Sequence, residues 1–416
     1  MKLIHRIKVK LLTKNGKVLF SNFMYLSLLQ VASYLFPLFT LPYLARVIGV
    51  GKFGEIAFAQ AVIVWFQTFV DYGFIYSAVR DIARCKSNLN HVSHIYTNVM
   101  WARLLLVLIS FIFLIGLIIL IPLFYEKRLI LFLTFFIVVG QAIFPDWLFQ
   151  AFERMKYVTI LNVLTKLLFT VLVFIFIKEE QDYLYQPVLM SLGYIVSGLI
   201  SIRIISKWGI HWNKPNLFMI SDTIRRNTSL FINQIIPNLY SNLSVILLGF
   251  FYGQIENGIL DVGRKFVSIV ISFMMILSRT FYPFLSRNIS RHNLFFKLNL
   301  LVSFVMTIIL FFFSQIIIDC FFTSEFRQAV IVLKILSFSI VFQSLINIYG
   351  TNYLIINGYE KETRNVTLVA SVVGGVLTIP CTFYYGYIGV AAAITFSTGL
   401  MAFLMIMEYR KVKSKK

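Results

Sequence analysis

Basic side chains lie inside apolar segments of this chain, where an unpaired charge is unfavourable. A charge at the centre of a bilayer costs about 2.5–3.5 kcal/mol even on the most lenient scale. Around an aqueous cavity such residues attract an anion, and arginine binds phosphate or pyrophosphate through two parallel hydrogen bonds. Alternatively, long basic side chains near helix ends reach the membrane interface without any ligand. The candidate anion-binding residues are Arg46, Arg103, Lys166, Arg264, Lys265, Arg279 and Lys334.

Three aspartates share these apolar segments. Asp261 lies three and four residues before Arg264 and Lys265, so an intrahelical pair can neutralise one of the two cations. Asp71 and Asp146 can pair across helices, but the sequence does not identify their partners. We interpret the three carboxylates either as ion-pair partners or as groups that bind a coupling ion.

Three predicted helices carry polar side chains on one face. Amides and hydroxyls at helical spacing can bind sugar hydroxyls, although they also hold neighbouring membrane helices together. Taken together, the three faces favour a polar lumen. They comprise Gln30, Ser33 and Tyr34 on the first helix, Gln234, Asn238, Ser241 and Asn242 on the seventh, and Gln343, Asn347 and Gly350 on the tenth.

Two prolines lie in the first long apolar segment. Pro37 and Pro42 remove backbone donors and clash with the carbonyls four residues earlier, so they predict a helix break. Lipid cannot satisfy free carbonyls, and broken helices persist only beside protein or a water-filled cavity. We interpret residues 33–54 as a bent helix that faces the lumen. The alternative is a kinked structural helix, because proline is common in transmembrane helices.

The composition indicates a polytopic, all-α membrane protein. Hydrophobic residues make up 59% of the chain and charged residues 13%, against about 45–50% and 25% in soluble domains. The mean hydropathy is +0.83. The net charge of +21 does not indicate a nucleic-acid partner, because the basic residues fall between apolar segments.

The sequence gives no sign of a metal site or a cofactor. Cys85, Cys320 and Cys381 are scattered, without a CxxC pair or a matching histidine cluster. The segment from Gly49 to Gly54 has the wrong glycine spacing for a phosphate-binding loop. We therefore expect neither ATP hydrolysis nor another enzymatic activity in this chain.

Twelve segments are long and apolar enough to form membrane-spanning helices, which need about 20 residues each. If the N-terminus is cytosolic, 26 Lys and Arg residues fall in cytosolic segments and 6 in the opposite loops. Because basic residues accumulate on the cytosolic side, both termini are expected there. The segments are 20–44, 53–78, 97–121, 129–151, 157–177, 185–205, 228–252, 258–283, 298–318, 329–354, 364–384 and 387–408.

The longest gap between apolar segments divides the chain into two similar halves. At a shift of 204 residues, Gly49 aligns with Gly253 and Gly54 with Gly258. Internal repeats of this kind enclose a central site in many membrane proteins. The expected organisation is a basic cytosolic tail at 1–19, a six-helix bundle at 20–205, a cytosolic linker at 206–227, a second six-helix bundle at 228–408 and a basic cytosolic tail at 409–416.

Several motifs resemble those of the O-antigen and polysaccharide repeat-unit flippases known as Wzx or RfbX. That family is the polysaccharide-transporter branch of the multidrug/oligosaccharidyl-lipid/polysaccharide exporter superfamily. The resemblance covers residues 20–405 and is strongest in the first half, whereas the seventh helix is richer in asparagine than the general pattern. The motifs are Ser21-Asn-Phe, Leu41-Pro-Tyr-Leu-Ala-Arg-Val-Ile-Gly, Phe53-Gly, Ala57-Phe-Ala-Gln, Asp71-Tyr-Gly-Phe, Asp146-Trp-Leu-Phe-Gln-Ala-Phe-Glu-Arg-Met-Lys-Tyr and Tyr282-Pro-Phe-Leu-Ser.

The resemblance implies two six-helix bundles around a cationic central cavity. It also implies an alternating-access cycle that moves an undecaprenyl-pyrophosphate-linked oligosaccharide from the cytosolic to the periplasmic leaflet of the bacterial inner membrane. The expected partners are this lipid-linked oligosaccharide and membrane lipid, together with polymerase and chain-length proteins of the same pathway.

Two other functions remain open from the sequence. A related multidrug exporter would favour a cavity of buried acids and aromatic rings over one with excess base. A membrane polysaccharide polymerase would need catalytic groups on the outer face, where the predicted loops are short.

Overall fold

The structure of the chain is a computed structural model that describes residues 14–236, 238–287 and 292–414. Within these ranges some side chains lie outside the description, including that of the predicted cation Arg279. All regular secondary structure in the described residues is helical, which confirms the predicted all-α class. The α-helices are α1 (Lys14–Asp71), α2 (Phe74–Cys85), α3 (Leu89–Leu120), α4 (Pro122–Glu126), α5 (Arg128–Ile143), α6 (Asp146–Ala151), α7 (Met155–Phe176), α8 (Tyr185–Ser206), α9 (Leu217–Ile235), α10 (Asn238–Ser241), α11 (Leu243–Phe251), α12 (Gln254–Arg287), α13 (His292–Phe312), α14 (Ser314–Phe321), α15 (Ala329–Leu345) and α16 (Glu360–Ser414).

The chain folds into two compact units. The first contains the chain up to Val47 and Ile63–Gln234, and the second contains Ile48–Val62 and the chain from Ile235 onward. A π-helix (Ile346–Ile355) follows α15 in the second unit, and short 3-10 helices occupy Glu180–Leu184 and Ser324–Phe326. The boundaries of the two predicted six-helix bundles remain a prediction.

Eight helical segments of the described residues are long and apolar enough to cross a membrane. Two of them, Met24–Cys85 with 62 residues and Glu360–Ser414 with 55 residues, are much longer than one crossing of about 20 residues needs. Each covers most or all of two predicted apolar segments and has a helix interrupted by a glycine with non-helical torsion angles, Gly49 in α1 or Gly386 in α16. Met24–Cys85 also contains Gly73, which precedes α2 with φ 77°. The total of twelve spans and the cytosolic placement of the termini remain predictions.

The interruption in α1 lies at Gly49 and not at the two prolines. Gly49 has φ 69° and ψ 171°, whereas the backbone keeps helical torsion angles at Pro37 and Pro42. The prediction that the prolines break the helix is therefore wrong, because the backbone conformation does not change at either of them. Proline fixes φ near −65°, which is compatible with a helix, so it costs a hydrogen bond without requiring different torsion angles.

The predicted seventh span, residues 228–252, is not one continuous helix. It is divided among α9, which ends at Ile235, and the helices α10 and α11. Pro237, which lies outside the described residues, falls at the first division, where a proline cannot donate the hydrogen bond that a continuing helix needs. The predicted polar face of this span is consequently shared by separate helical segments.

Carboxylates bind the backbone just after both glycine interruptions. In the second unit, Glu325 accepts a hydrogen bond from the Val50 amide at 3.1 Å, and Glu256 accepts one from the Tyr387 amide at 3.2 Å. The first amides of a helix lack intrahelical acceptors and carry partial positive charge. Glu325 and Glu256 therefore stabilise the restart of the helix after Gly49 and Gly386.

The repeated glycines Gly54 and Gly258 pack against each other inside the second unit. A Cβ atom at Gly54 would overlap the Gln254 carbonyl oxygen and lie 2.8 Å from the Gly258 amide nitrogen. The helix carrying Gly54 can therefore approach α12 this closely only without a side chain. Small residues allow such close contacts between membrane helices.

We expect Gly54→Ala to lower the free energy of unfolding by about 1–3 kcal/mol, the usual cost of overpacking. The matched control is Gly51→Ala, because a Cβ at Gly51 meets no atom within 4 Å. Alanine there should be neutral or stabilising, since glycine is unfavourable within a helix. The measurement is the unfolding midpoint of both purified variants in detergent. Equal midpoints for the two variants would contradict the close contact.

Candidate functional site

The candidate site in the first unit begins where α5 ends. Pro145 disfavours helical torsion angles in the residue before it, and Phe144 accordingly adopts an extended conformation between α5 and α6. The Phe144 carbonyl then has no helical partner, and the Arg103 guanidinium donates a hydrogen bond to it at 3.3 Å. The break in the helix therefore helps to position a buried cation.

Arg103 also pairs with Asp71, which is the last residue of the helical segment α1. The Arg103 side chain is only 5% exposed, whereas that of Asp71 is 47% exposed. A carboxylate at the C-terminal end of a helix is unfavourable next to the free carbonyls, so the guanidinium offsets this repulsion. The sequence did not identify this pair. In the structure the positive charge of Arg103 is matched by the Asp71 carboxylate.

Asp146 supplies a second carboxylate to the same place. It is the first residue of α6, and its Oδ1 atom accepts a hydrogen bond from the Trp147 amide at 2.9 Å. The positive end of a helix stabilises negative charge. Two of the motifs that carry the family resemblance, those beginning at Asp71 and Asp146, thus meet around Arg103.

These side chains line a cavity of about 230 Å³. Its lining holds two carboxylates and one guanidinium, so the ionised groups carry one excess negative charge. The sequence did not single out the amides and rings that complete the lining. Asn162 could have been identified from the sequence, because it lies four residues before the predicted cation Lys166 and therefore on the same face of α7. The lining residues are Asp71, Phe74, Ile75, Arg103, Gln141, Phe144, Asp146, Trp147, Asn162 and Tyr194.

Lys166 lies one helical turn from Asn162 on α7. Its ammonium group donates a hydrogen bond to the Ser33 hydroxyl at 3.0 Å. Ser33 belongs to the predicted polar face of the first helix, and on that face Gln30 donates a hydrogen bond to Tyr34. The structure therefore brings together a predicted cation and a predicted polar face within the first unit.

The predicted cations of the second unit lie in different surroundings. Lys265 pairs with Asp261 at 2.5 Å and lies over the ring of Phe53, 4.5 Å from its centroid. The Lys334 ammonium group is 5.8 Å from the ring centroid of Phe311. Arg264 is half-buried on α12. In the first unit, Arg46 is exposed.

The predicted amides divide into two kinds. The Asn242 side chain donates a hydrogen bond to that of Asn238 at 3.0 Å. The backbone carbonyl of Asn347 accepts one from Asn352 in the π-helix, whereas the buried Nδ2 atom of Asn347 has no partner among the described atoms. Gln343 is half-buried, and in the first unit the Gln234 Oε1 atom is buried without a partner among the described atoms. The contact between Asn242 and Asn238 fits the helix-packing role that the sequence left open.

The cavity in the first unit suits a ligand rich in hydroxyl groups. Carboxylates accept hydrogen bonds, amides both donate and accept them, and guanidinium donates them. Trp147 and Tyr194 add ring surface to the lining. The volume admits several waters or one small polar group. Within the described part of the chain, no group of three or more His, Cys, Asp or Glu residues could hold a metal ion.

Sequence comparison confirms the resemblance that the motifs carry. The family described as "Polysaccharide biosynthesis protein" matches residues 19–289. A candidate O-antigen transporter of Escherichia coli (strain K12) is 28% identical over 401 residues, which cover 94% of this chain and 97% of that protein.

Comparison with solved structures shows that this chain has the fold of membrane transporters. The lipid II flippase MurJ in an inward closed conformation matches with a TM-score of 0.77 and 15% identity, over 92% of this chain and 87% of that chain. An inward-facing multidrug resistance transporter of the MATE family matches with a TM-score of 0.64 and 15% identity, over 91% and 95% of the two chains. The relatives named here are transporters and flippases, not enzymes, in agreement with the sequence.

Proposed function

Because the chain belongs to the polysaccharide biosynthesis protein family, we propose that it is a flippase for lipid-linked polysaccharide repeat units. The observation that carries this proposal is the polar cavity around Arg103, which lies among apolar helices of the first unit. The name of the Escherichia coli relative and the MurJ-like fold support the same activity.

In its finer form, the proposal is that the substrate is an undecaprenyl-pyrophosphate-linked oligosaccharide of O-antigen or capsule. The protein moves it from the cytosolic to the periplasmic leaflet of the bacterial inner membrane by alternating access of its two halves. Polymerase and chain-length proteins then use the product. The proposed pyrophosphate-binding cations are Arg46, Arg103, Lys166, Arg264, Lys265, Arg279 and Lys334, and the proposed lumen amides and hydroxyls are Gln30, Tyr34, Gln234, Asn238, Asn242, Gln343 and Asn347.

Asp146 is the proposed coupling carboxylate. Asp71 is engaged by Arg103, and Asp261 is engaged by Lys265. Asp146 instead faces a cavity whose single cation already has a carboxylate partner. Intramembrane carboxylates in such positions mark ion and proton pathways.

One observation favours a second candidate, a multidrug exporter. The cavity contains excess acid and aromatic rings, as expected for that class. The similarity in fold to a multidrug resistance transporter of the MATE family supports this alternative. The family match and the named relative favour the polysaccharide substrate instead.

A leaflet assay separates these functions. Lipid-linked repeat units are labelled in a strain lacking the protein, and their exposure to the periplasm is measured with and without the wild-type gene. A flippase restores exposure. If repeat units reach the periplasm without the protein but remain unpolymerised, the flippase proposal fails and a polymerase takes its place. Restored resistance to organic cations without restored exposure would establish the exporter.

In the same assay we expect Lys166→Ala to lower exposure by about tenfold, because it removes a charged hydrogen bond worth roughly 1.5 kcal/mol or more. Lys166→Arg should retain most activity, since it keeps the cation. The control is Lys178→Ala, an exposed lysine after the end of α7. If all three variants behave alike, Lys166 has no role in transport.

A further inference from the structure

An apolar groove follows the surface of the second unit between α15 and α16. Its volume is about 730 Å³, and phenylalanines line both sides. Phe338, Phe396 and Phe403 are 48%, 54% and 58% exposed. Of the lining residues only Thr395 is polar, and its hydroxyl donates to backbone carbonyls of both helices. The groove therefore offers a ligand an almost entirely apolar surface.

Gly399 sets the depth of the groove. A Cβ atom at this position would lie 3.2 Å from the nearest atom of the Phe342 ring, and that ring lies against the glycine. A larger side chain would occupy the space where a ligand chain could lie. The groove lining extends from Ala392 to Phe403 on α16, which is about 16 Å at 1.5 Å per residue. This length matches about half of a 30 Å hydrocarbon core.

A positively charged residue, Lys334, lies next to one end of the groove. The lining on α15 begins at Ile335, and the preceding residue is Lys334. Its ammonium group lies 5.8 Å from the Phe311 ring centroid, and the Phe311 ring packs edge-on against Phe338 at 5.6 Å. By the predicted topology this end faces the periplasm. The groove thus combines one apolar channel with one positive charge near the membrane surface.

We propose that this groove binds the single isoprenoid chain of a polyprenyl phosphate lipid, with its phosphate beside Lys334. The proposal rests on the proposed function, adds a second site on the surface of the second unit, and assigns Lys334 to this site instead of to the pyrophosphate-binding cations. The charge complements the phosphate, and one channel matches a lipid with one chain per head group. A phospholipid carries two chains, of which only one would fit. The site would hold the lipid in the periplasmic leaflet, after translocation.

The test uses purified full-length protein in detergent and a diazirine-labelled polyprenyl phosphate without sugar. We expect labelling of segments 335–342 and 392–403. Gly399→Leu should reduce labelling by about tenfold, the loss expected when two methylene groups are displaced. The matched control is Gly116→Leu in α3, where a Cβ meets no atom within 4 Å. Phe396→Gln, at an exposed ring, tests the groove if Gly399→Leu fails to fold.

The charge is tested separately. Lys334→Gln should reduce labelling by polyprenyl phosphate to the level seen with uncharged polyprenol, whereas Lys178→Gln should not. An excess of phosphatidylglycerol should compete poorly. If phosphatidylglycerol competes as well as polyprenyl phosphate, or if the groove variants label like the wild type, the proposal is overturned.

The two proposals fail in different ways. Labelling requires no transport, so a groove-dependent signal from a protein inactive in the leaflet assay would leave the lipid site standing and refute the flippase. An active flippase whose labelling ignores Gly399→Leu and Phe396→Gln would refute the lipid site alone.

Discussion

Asp71→Asn is expected to lower the free energy of unfolding by about 3 kcal/mol, because it leaves a buried charge without its partner. The Arg103 side chain is only 5% exposed, so water compensates poorly for the lost carboxylate. Arg103→Gln should cost less, about 1–2 kcal/mol, because the stranded Asp71 is 47% exposed and remains hydrated. The structure therefore predicts an asymmetry between the two halves of one ion pair.

The double variant separates the interaction energy of Asp71 and Arg103 from the contacts that each residue makes with its surroundings. Asp71→Asn with Arg103→Gln should be more stable than the sum of the two single changes predicts, because neither member of the pair is left charged without the other. Asp81→Asn is the matched control, since the pair between Arg80 and Asp81 is exposed on both sides and such pairs are worth about 0–1 kcal/mol. Unfolding of the purified variants in mixed micelles gives all four values. Additive effects, or a larger cost for Arg103→Gln, would contradict the predicted energetics.

Asp146→Asn is expected to reduce transport strongly while leaving the fold intact. The asparagine oxygen can still accept the hydrogen bond from the Trp147 amide, so the start of α6 should not change. The charge that binds a coupling ion is lost, however, and coupling between sites is typically worth about 5–150-fold. The leaflet assay, combined with an unfolding midpoint, measures both effects.

A conservative replacement sharpens this test. Asp146→Glu keeps the carboxylate and should retain part of the activity, whereas Asp319→Asn removes an exposed carboxylate from α14 and should have no effect. If Asp146→Asn transports at the wild-type rate, Asp146 is not the coupling group. If it unfolds the protein, its carboxylate has a structural role and the coupling proposal loses its support.

The sequence determined the class of the protein and the local pairings. Hydropathy alone indicates a helical membrane protein, because a bilayer accepts only segments that satisfy their own backbone hydrogen bonds. The pair between Asp261 and Lys265 follows from their spacing of four residues on one helix. The repeated glycines at 54 and 258 mark two helices that approach each other closely.

Only the tertiary structure decided what the isolated charges do. From the sequence Arg103 is one more candidate for anion binding, yet the fold places it against Asp71, 32 residues away, and against the Phe144 carbonyl, 41 residues away. Such contacts depend on how helices cross and rotate, and no local periodicity encodes them. The helix interruption at Gly49 instead of the prolines has a similar origin. A proline is compatible with helical torsion angles, so the position of the turn is decided by the contacts that stabilise it, including the Glu325 carboxylate 275 residues later.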